Sequence, residues 1–282
     1  MTTLQRSDAF FPTRLRAIFD PPKVLHVRGA GSPQLLGSRA VAVVGARSCS
    51  PYGAQVARML GRDLATAGLV VVSGLARGVD GHAHRGALEA GGVTVGVLGC
   101  GIDRDYPASH AELSRRIEDR GLVVSEYEAG IEPAPWRFPA RNRIIAGLCE
   151  AVVVVEARER SGALITADFA LDEGREVFVV PGEITAVLSA GTNALLKLGA
   201  TPLTSSQDVL DVLDIEPPEP TSSASVSPLA ARVLELVREV PRGADELTTC
   251  GALDAGAVSV ALTELELAGL VSAADGVYRP TK

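Results

Sequence analysis

VAVVGARSCSPYG, residues 41–53, decides the fold. Its opening Val41-Ala42-Val43-Val44 is an unbroken apolar run, the pattern of a strand covered on both faces. Gly45-Ala46-Arg47 turns the chain, and Ser50-Pro51 supplies a helix cap followed by proline at the first helical position. The stretch reads as strand, turn, helix. Similar apolar runs recur at Ala40–Val44, Leu69–Val72, Val93–Leu98, Leu122–Val124, Ala151–Val155 and Val177–Val180. Helix-length segments separate them, among them Tyr52–Ala67, Val79–Ala90 and Ala108–Arg120, closed by Gly68, Gly91-Gly92 and Gly121. Repeated β-α units predict an α/β fold with a Rossmann-like, doubly wound, mostly parallel sheet and right-handed crossovers.

The flanks read differently. Residues 1–39, with Phe11-Pro12 and Asp20-Pro21-Pro22, read as a lead-in of one short helix and extended chain. The Rossmann-like domain is expected over residues 40–215. A Pro/Ser-rich linker follows at 216–227, and a small domain at 228–282. In that last part Leu229–Val240, Ala244–Cys250 and Ala255–Ala268 read as three helices. Leu270–Arg279 reads as a hairpin, so a winged-helix module is expected.

Composition narrows the class. With 46% hydrophobic and 22% charged residues, the 282-residue chain is that of a globular protein. No apolar run nears the ~20 residues that span a bilayer, and the first residues lack a secretory h-region. Cys49, Cys100, Cys149 and Cys250 stand far apart with no C-x-x-C among them, which points to a reducing, cytoplasmic setting. The net charge of -7 does not exclude nucleic acid, because a phosphate site needs only a local positive field.

Ligands of an open α/β sheet sit beyond the carboxyl ends of its strands. The first two strands deliver Gly45 with Arg47, and Ser73, Gly74 with Arg77, to that end. Glycines admit close backbone approach and arginines present forked donors, so an anion pocket is expected there. Trp136-Arg137-Phe138-Pro139-Ala140-Arg141-Asn142-Arg143 opens the helix before the fifth strand, and interleaves arginines with aromatic rings. Arginines meet phosphates, and an exposed ring stacks on an unpaired base. The competing reading pairs those arginines with carboxylates such as Glu126 and Glu150. Arg158, Arg160 and Ser161-Gly162 follow the fifth strand and could line the same groove.

Catalytic signals are weak. G-x-G-x-x-G, G-x-x-x-x-G-K-[ST] and G-x-S-x-G are all absent. Asp80 and His84 share a helical face without a third metal ligand, and Asp80 is expected to cap or orient His84. No cofactor and no metal are expected, and the chain reads as a binder.

These motifs resemble the DprA/Smf family of DNA-processing proteins. The resemblance is carried by Val41–Gly53, Val72–Leu88 (VSGLARGVDGHAHRGAL), Val97–Pro107 (VLGCGIDRDYP) and Phe138–Gly147 (FPARNRIIAG). Ser161–Ala170 (SGALITADFA) and Gly191–Ala200 (GTNALLKLGA) extend it. It implies an extended Rossmann domain and a non-enzymatic, homodimeric protein of DNA recombination and natural transformation. Such a protein binds and protects single-stranded DNA and loads RecA recombinase onto it. By resemblance the DNA site carries over onto Gly45, Arg47, Ser73, Gly74, Arg77, Phe138, Arg141, Asn142 and Arg143. Arg137, Ser161 and Gly162 join the site from the reading of the residues. Many members begin with a helical SAM-like domain; here about twenty residues precede Asp20-Pro21-Pro22. The alternative is a nucleotide-binding enzyme of the nucleoside-monophosphate phosphoribohydrolase type, whose P-G-G-x-G-T-x-x-E signature is missing.

From Val226 onward five basic residues face eight acidic ones, a net of -3, and the third helix holds Glu264 and Glu266 with no Lys or Arg. Major-groove docking would press those carboxylates on phosphates, so a protein-binding or regulatory module is expected. A Val226–Lys282 fragment titrated with DNA is expected to bind at background; tight, salt-sensitive binding would reverse this reading.

Overall fold

The computed structural model describes residues 1–216, 226–274 and 276–280. It divides into two compact units, Met1–Pro218 and Glu219–Lys282. Residues 217–225 of the expected linker lie outside the described residues, as do Asp275 and Lys282 of the charge count.

Residues 1–39 are not a lead-in. β1 (Thr2–Gln5) and β2 (Val24–Arg28), joined through α1 (Thr13–Arg16), form an antiparallel pair at one sheet edge. Leu4, Phe11, Leu15, Leu25 and Val27 are all buried in the main core. β2 alternates half-buried and buried positions, so a search for continuous apolar runs passes over it.

The doubly wound part then alternates strand and helix: β3 (Ala40–Val44), α2 (Pro51–Thr66), β4 (Val70–Ser73), α3 (Val79–Glu89), β5 (Thr94–Leu98), α4 (Ala111–Glu118) and β6 (Leu122–Ser125). It continues through α5 (Arg137–Leu148), β7 (Ala151–Val154), α6 (Gly162–Asp172), β8 (Glu176–Val179), α7 (Ala190–Lys197), β9 (Thr201–Pro202) and α8 (Ser206–Val212). The nine strands lie in the order β1-β2-β6-β5-β4-β3-β7-β8-β9. β6 through β9 in that order are mutually parallel, and β2 meets β6 antiparallel. Every residue of β3, β4, β5, β6 and β7 is buried, as their unbroken apolar runs require. Ala40, Ala42 and Val44 face α1, α5 and α6, while Val41 and Val43 face α2 and α3. Strand order reverses between β3 and β7, which leaves a crevice at their carboxyl ends.

The second unit contains α9 (Pro228–Glu239), β10 (Arg242–Gly243), α10 (Ala244–Gly251), α11 (Ala255–Leu267), β11 (Val271–Ala274) and β12 (Val277–Pro280). Its strands pair in the order β10-β12-β11, and Val233, Val237, Leu247, Val258 and Leu265 fill its core. Three helices and a hairpin-closed sheet make it a winged helix.

His84 is held inside the first unit, but not by Asp80. Thr94 Oγ1 donates to the Val71 carbonyl at 2.6 Å, so it accepts from His84 Nδ1–H, also at 2.6 Å. That assigns the proton to Nδ1. His84 Nε2 is buried without a partner, and a proton there would find no acceptor. Burial, helped by the positive fields of His110, Arg85 and Arg141, pushes His84 down to about 3 from 6.5. The folded value lies below the unfolded one, so this stability is present above pH 6.5 and lost as pH falls toward 3. The slope is about 1.4 kcal/mol per pH unit. Urea denaturation from pH 7 to pH 4 should show wild type losing stability relative to His84→Asn; a constant gap would show that His84 charges freely.

Candidate nucleic-acid interface

The crevice at the strand-order reversal has a volume of about 630 Å³. Gly45, Ala46, Arg47 and Ser48 line it from the end of β3, and Ala76 and Asp80 from the turn after β4. Phe138 and Asn142 reach it from α5, and Arg158, Arg160, Ser161 and Gly162 from the loop after β7. A 130 Å³ pocket shares Arg47, Tyr106, Phe138 and Arg141 with it and extends the groove over β4 and β5 to Gly74 and Arg77. The topology thus gathers Gly45, Arg47, Gly74, Arg77, Phe138, Arg141, Asn142, Ser161 and Gly162 on one groove.

The groove's charge comes from arginines that have no carboxylate to answer. Several arginines outside it are paired: Arg14 and Arg39 share Glu150, and Arg28 bonds Asp105 at 2.7 Å. Among the described residues Arg47, Arg77, Arg158 and Arg160 form no ion pair, and all four are exposed. The groove is therefore positive within a chain of net charge -7. Its apolar wall is aromatic. Phe138 stacks on Tyr106 with centroids 5.2 Å apart, and the Arg47 guanidinium lies 5.1 Å from the Phe138 centroid. Arg137 stands apart from that wall. It packs 4.8 Å from the ring of Trp136, which is 63% exposed, and donates to the Glu132 carbonyl.

Three expected contacts are redirected inward. Ser73 is fully buried and donates to the Val43 carbonyl at 2.6 Å, so its hydroxyl belongs to the sheet. Arg143 forks onto both Glu126 oxygens, at 3.0 and 2.7 Å, and bonds Asp20 at 3.0 Å. It follows the competing, carboxylate-paired reading. Arg141 lines the groove floor but is 5% exposed; its Nη1 donates to the Gly74 carbonyl at 2.8 Å and to Val97 O. A side chain on Gly74 would collide with both Arg141 and Asp80.

Asp80, expected on His84, works in this clamp. Its Oδ2 accepts from Gly74 N–H at 3.1 Å and Ala76 N–H at 3.3 Å. Arg141 therefore takes the Gly74 carbonyl while Asp80 takes its N–H, and the turn that presents Arg77 is fixed from both sides. Burial pushes the Asp80 carboxyl up, against the pull of Arg141 and the two N–H donors. Burial also pushes Arg141 down, to about 10, with Asp80 opposing. Asn142 completes the floor, accepting from Arg141 Nε and donating to the Gly162 carbonyl at 3.0 Å.

Sequence reasoning passed over Tyr106 and Glu156. Tyr106 sits in a loop whose course no spacing rule gives. The Glu156 carboxylate seats on the first turn of α2, accepting from Ser50 N–H at 2.9 Å and from Ser50 Oγ. A Cβ on Gly53 would stand 2.3 Å from it. The helix start that receives pyrophosphate in dinucleotide-binding folds is thus filled by the chain itself. Among the described residues no group of His, Cys, Asp and Glu side chains could hold a metal ion.

A family model described as DNA recombination-mediator protein A matches residues 2–214, and the DprA winged helix domain matches residues 217–276. The chain belongs to the DprA family. This DprA-family chain is 47% identical over 203 residues to DNA processing protein DprA of Streptococcus pneumoniae, covering 72% of this chain and 71% of that one. It is 40% identical over 283 residues to Protein Smf of Escherichia coli, covering 95% and 74%. The solved S. pneumoniae DprA structure is similar with a TM-score of 0.71 at 44% identity, over 76% of this chain and 74% of that one. A Helicobacter pylori DprA structure, described for its single-stranded DNA binding mode, gives 0.69 at 33% identity over 76% and 97%.

The clamp separates structural from surface arginines in this DprA-family chain. Arg141→Lys keeps a charge but loses the planar fork, and is expected to cost ~1.5–3 kcal/mol. Arg47→Ala should stay within about 0.5 kcal/mol of wild type. Urea midpoints of the two variants check this; equal midpoints would put Arg141 among the surface cations.

Proposed function

We propose that this chain binds single-stranded DNA in the groove, protects it, and promotes loading of RecA recombinase in natural transformation or DNA recombination, without catalysing a reaction itself. One observation carries the reading: four arginines without ion pairs line the same groove as the Tyr106–Phe138 stack. Arginines answer phosphates of any sequence, and the rings answer the unpaired bases that a duplex keeps stacked. The missing P-G-G-x-G-T-x-x-E signature argues against the phosphoribohydrolase alternative.

A homodimer is part of the proposal. Leu171 and Leu198 are 53% and 84% exposed, and Leu164, Ile165 and Ala194 line a groove between α6 and α7 beside Leu198. A second copy would cover that apolar surface. Four unpaired cysteines favour the reducing cytoplasm. Among the described residues no helix is long and apolar enough to cross a membrane. The winged helix acts through proteins in this reading. Glu264 is bound to the Ser227 N–H and hydroxyl, at 2.6 and 2.7 Å, and α11 exposes Val260 and Leu267 rather than basic side chains.

The test is affinity for oligodeoxythymidylate and for duplex DNA across a salt series. Wild type should prefer the single strand. Arg47→Ala with Arg77→Ala should flatten the salt slope by ~0.7 for each phosphate the protein no longer neutralises. Arg143→Ala should leave that slope in place. A double variant with the wild-type slope removes the groove assignment.

A further inference from the structure

We infer that the α6 end of the groove is a subsite for a terminal phosphomonoester, so that a strand is held there by its phosphorylated end. This rests on the single-strand reading above and adds a chemical preference to it.

α6 is an eleven-residue helix whose first residues line the groove. Its cap is incomplete. Ser161 Oγ accepts from Ala163 N–H at 3.3 Å, and Leu164 N–H goes to the Ser161 carbonyl at 3.1 Å. The Gly162 N–H, first of the helix, has no acceptor among the described residues. One turn further in, Thr166 lines the same space at 2% exposure, and its hydroxyl makes no hydrogen bond among the described residues. The hydroxyl is therefore open to the groove and free to bond a group that enters it. Arg158 and Arg160 stand at the rim, exposed and without carboxylate partners. Two unmatched donors on a positive helix end, under two free guanidinium groups, are complementary to a phosphate. By contrast, the start of α2 is closed by Glu156.

Depth selects the kind of phosphate. An internal phosphodiester continues into chain on both sides and carries one negative charge. A terminal monoester has chain on one side only, three free oxygens and a charge between one and two at neutral pH. Thr166 lies on the floor of the groove, where a group with chain on one side reaches more easily than a passing backbone. The bases next to that end would then run toward Phe138 and Tyr106, which line the same cavity.

The experiment is calorimetric titration of the full chain with twelve-nucleotide oligodeoxythymidylates bearing a 5′-phosphate, a 3′-phosphate or hydroxyls at both ends, and with thymidine 5′-monophosphate. One phosphorylated strand should bind about tenfold more tightly than the hydroxyl-ended one, the worth of one charge-assisted hydrogen bond. Which strand shows the gain identifies the end. Thr166→Val, nearly the same shape, should bring that strand down to the hydroxyl-ended affinity. Gly162→Pro should do the same, because proline suits the first helical position, Ser161 already has extended backbone, and only the N–H is removed. Equal affinities for all three strands, or a preference that survives both variants, overturns the subsite. If the hydroxyl-ended strand fails to bind wild type, the single-strand reading is what fails. The subsite then stands or falls on whether thymidine monophosphate binds and Thr166→Val weakens it.

Discussion

Arg141 and Asp80 are buried together under the groove, and the turn between them depends on both. Burying either charge alone would cost several kcal/mol. Here Arg141 is spent on the Gly74 and Val97 carbonyls, and Asp80 on the Gly74 and Ala76 N–H groups. The arrangement fixes the loop after β4 without using any group a ligand would need. Leu75, at φ 56°, is held in the left-handed region inside this clamp. An apolar floor would pack as densely, but it could not satisfy those backbone groups.

The arginines expected at the groove divide by what already neutralises them. Arg143 is answered by Glu126 and Asp20, and Arg141 by backbone carbonyls. Arg47, Arg77, Arg158 and Arg160 are left exposed around an aromatic wall. Electrostatic attraction for a polyanion comes from this second group, so an acidic protein keeps a basic groove. The same principle distinguishes the two helix starts. α2 has its positive end filled by Glu156, whereas α6 keeps a free N–H and a free hydroxyl.

The fold was largely legible because its signals are local. Unbroken runs such as Val41–Val44 and Ala151–Val155 are what double-sided burial demands, and Ser50-Pro51 starts α2 where the cap rule puts it. β2 escaped because a strand covered differently on its two faces alternates instead. β9, two residues long, is too short to carry a pattern. The groove was legible in part, since strand ends must face it whatever their details. Which arginines reach it was not, because Arg141 and Arg143 differ only in the partners that folding brings from distant segments.

By itself, then, the sequence determined the alternation of strand and helix, the doubly wound class, the family, and the gathering of glycine and arginine at the carboxyl ends of the strands. These follow from periodicity, caps and motif order, all read within a few residues. Only the tertiary structure decided that Ser73 serves the sheet, that Asp80 clamps Gly74 rather than His84, that Glu156 closes α2, and that Thr166 lies unpartnered in the groove. Each of those depends on contacts between segments distant in the chain or on burial, and burial is set by the packing of the whole unit, not by local spacing.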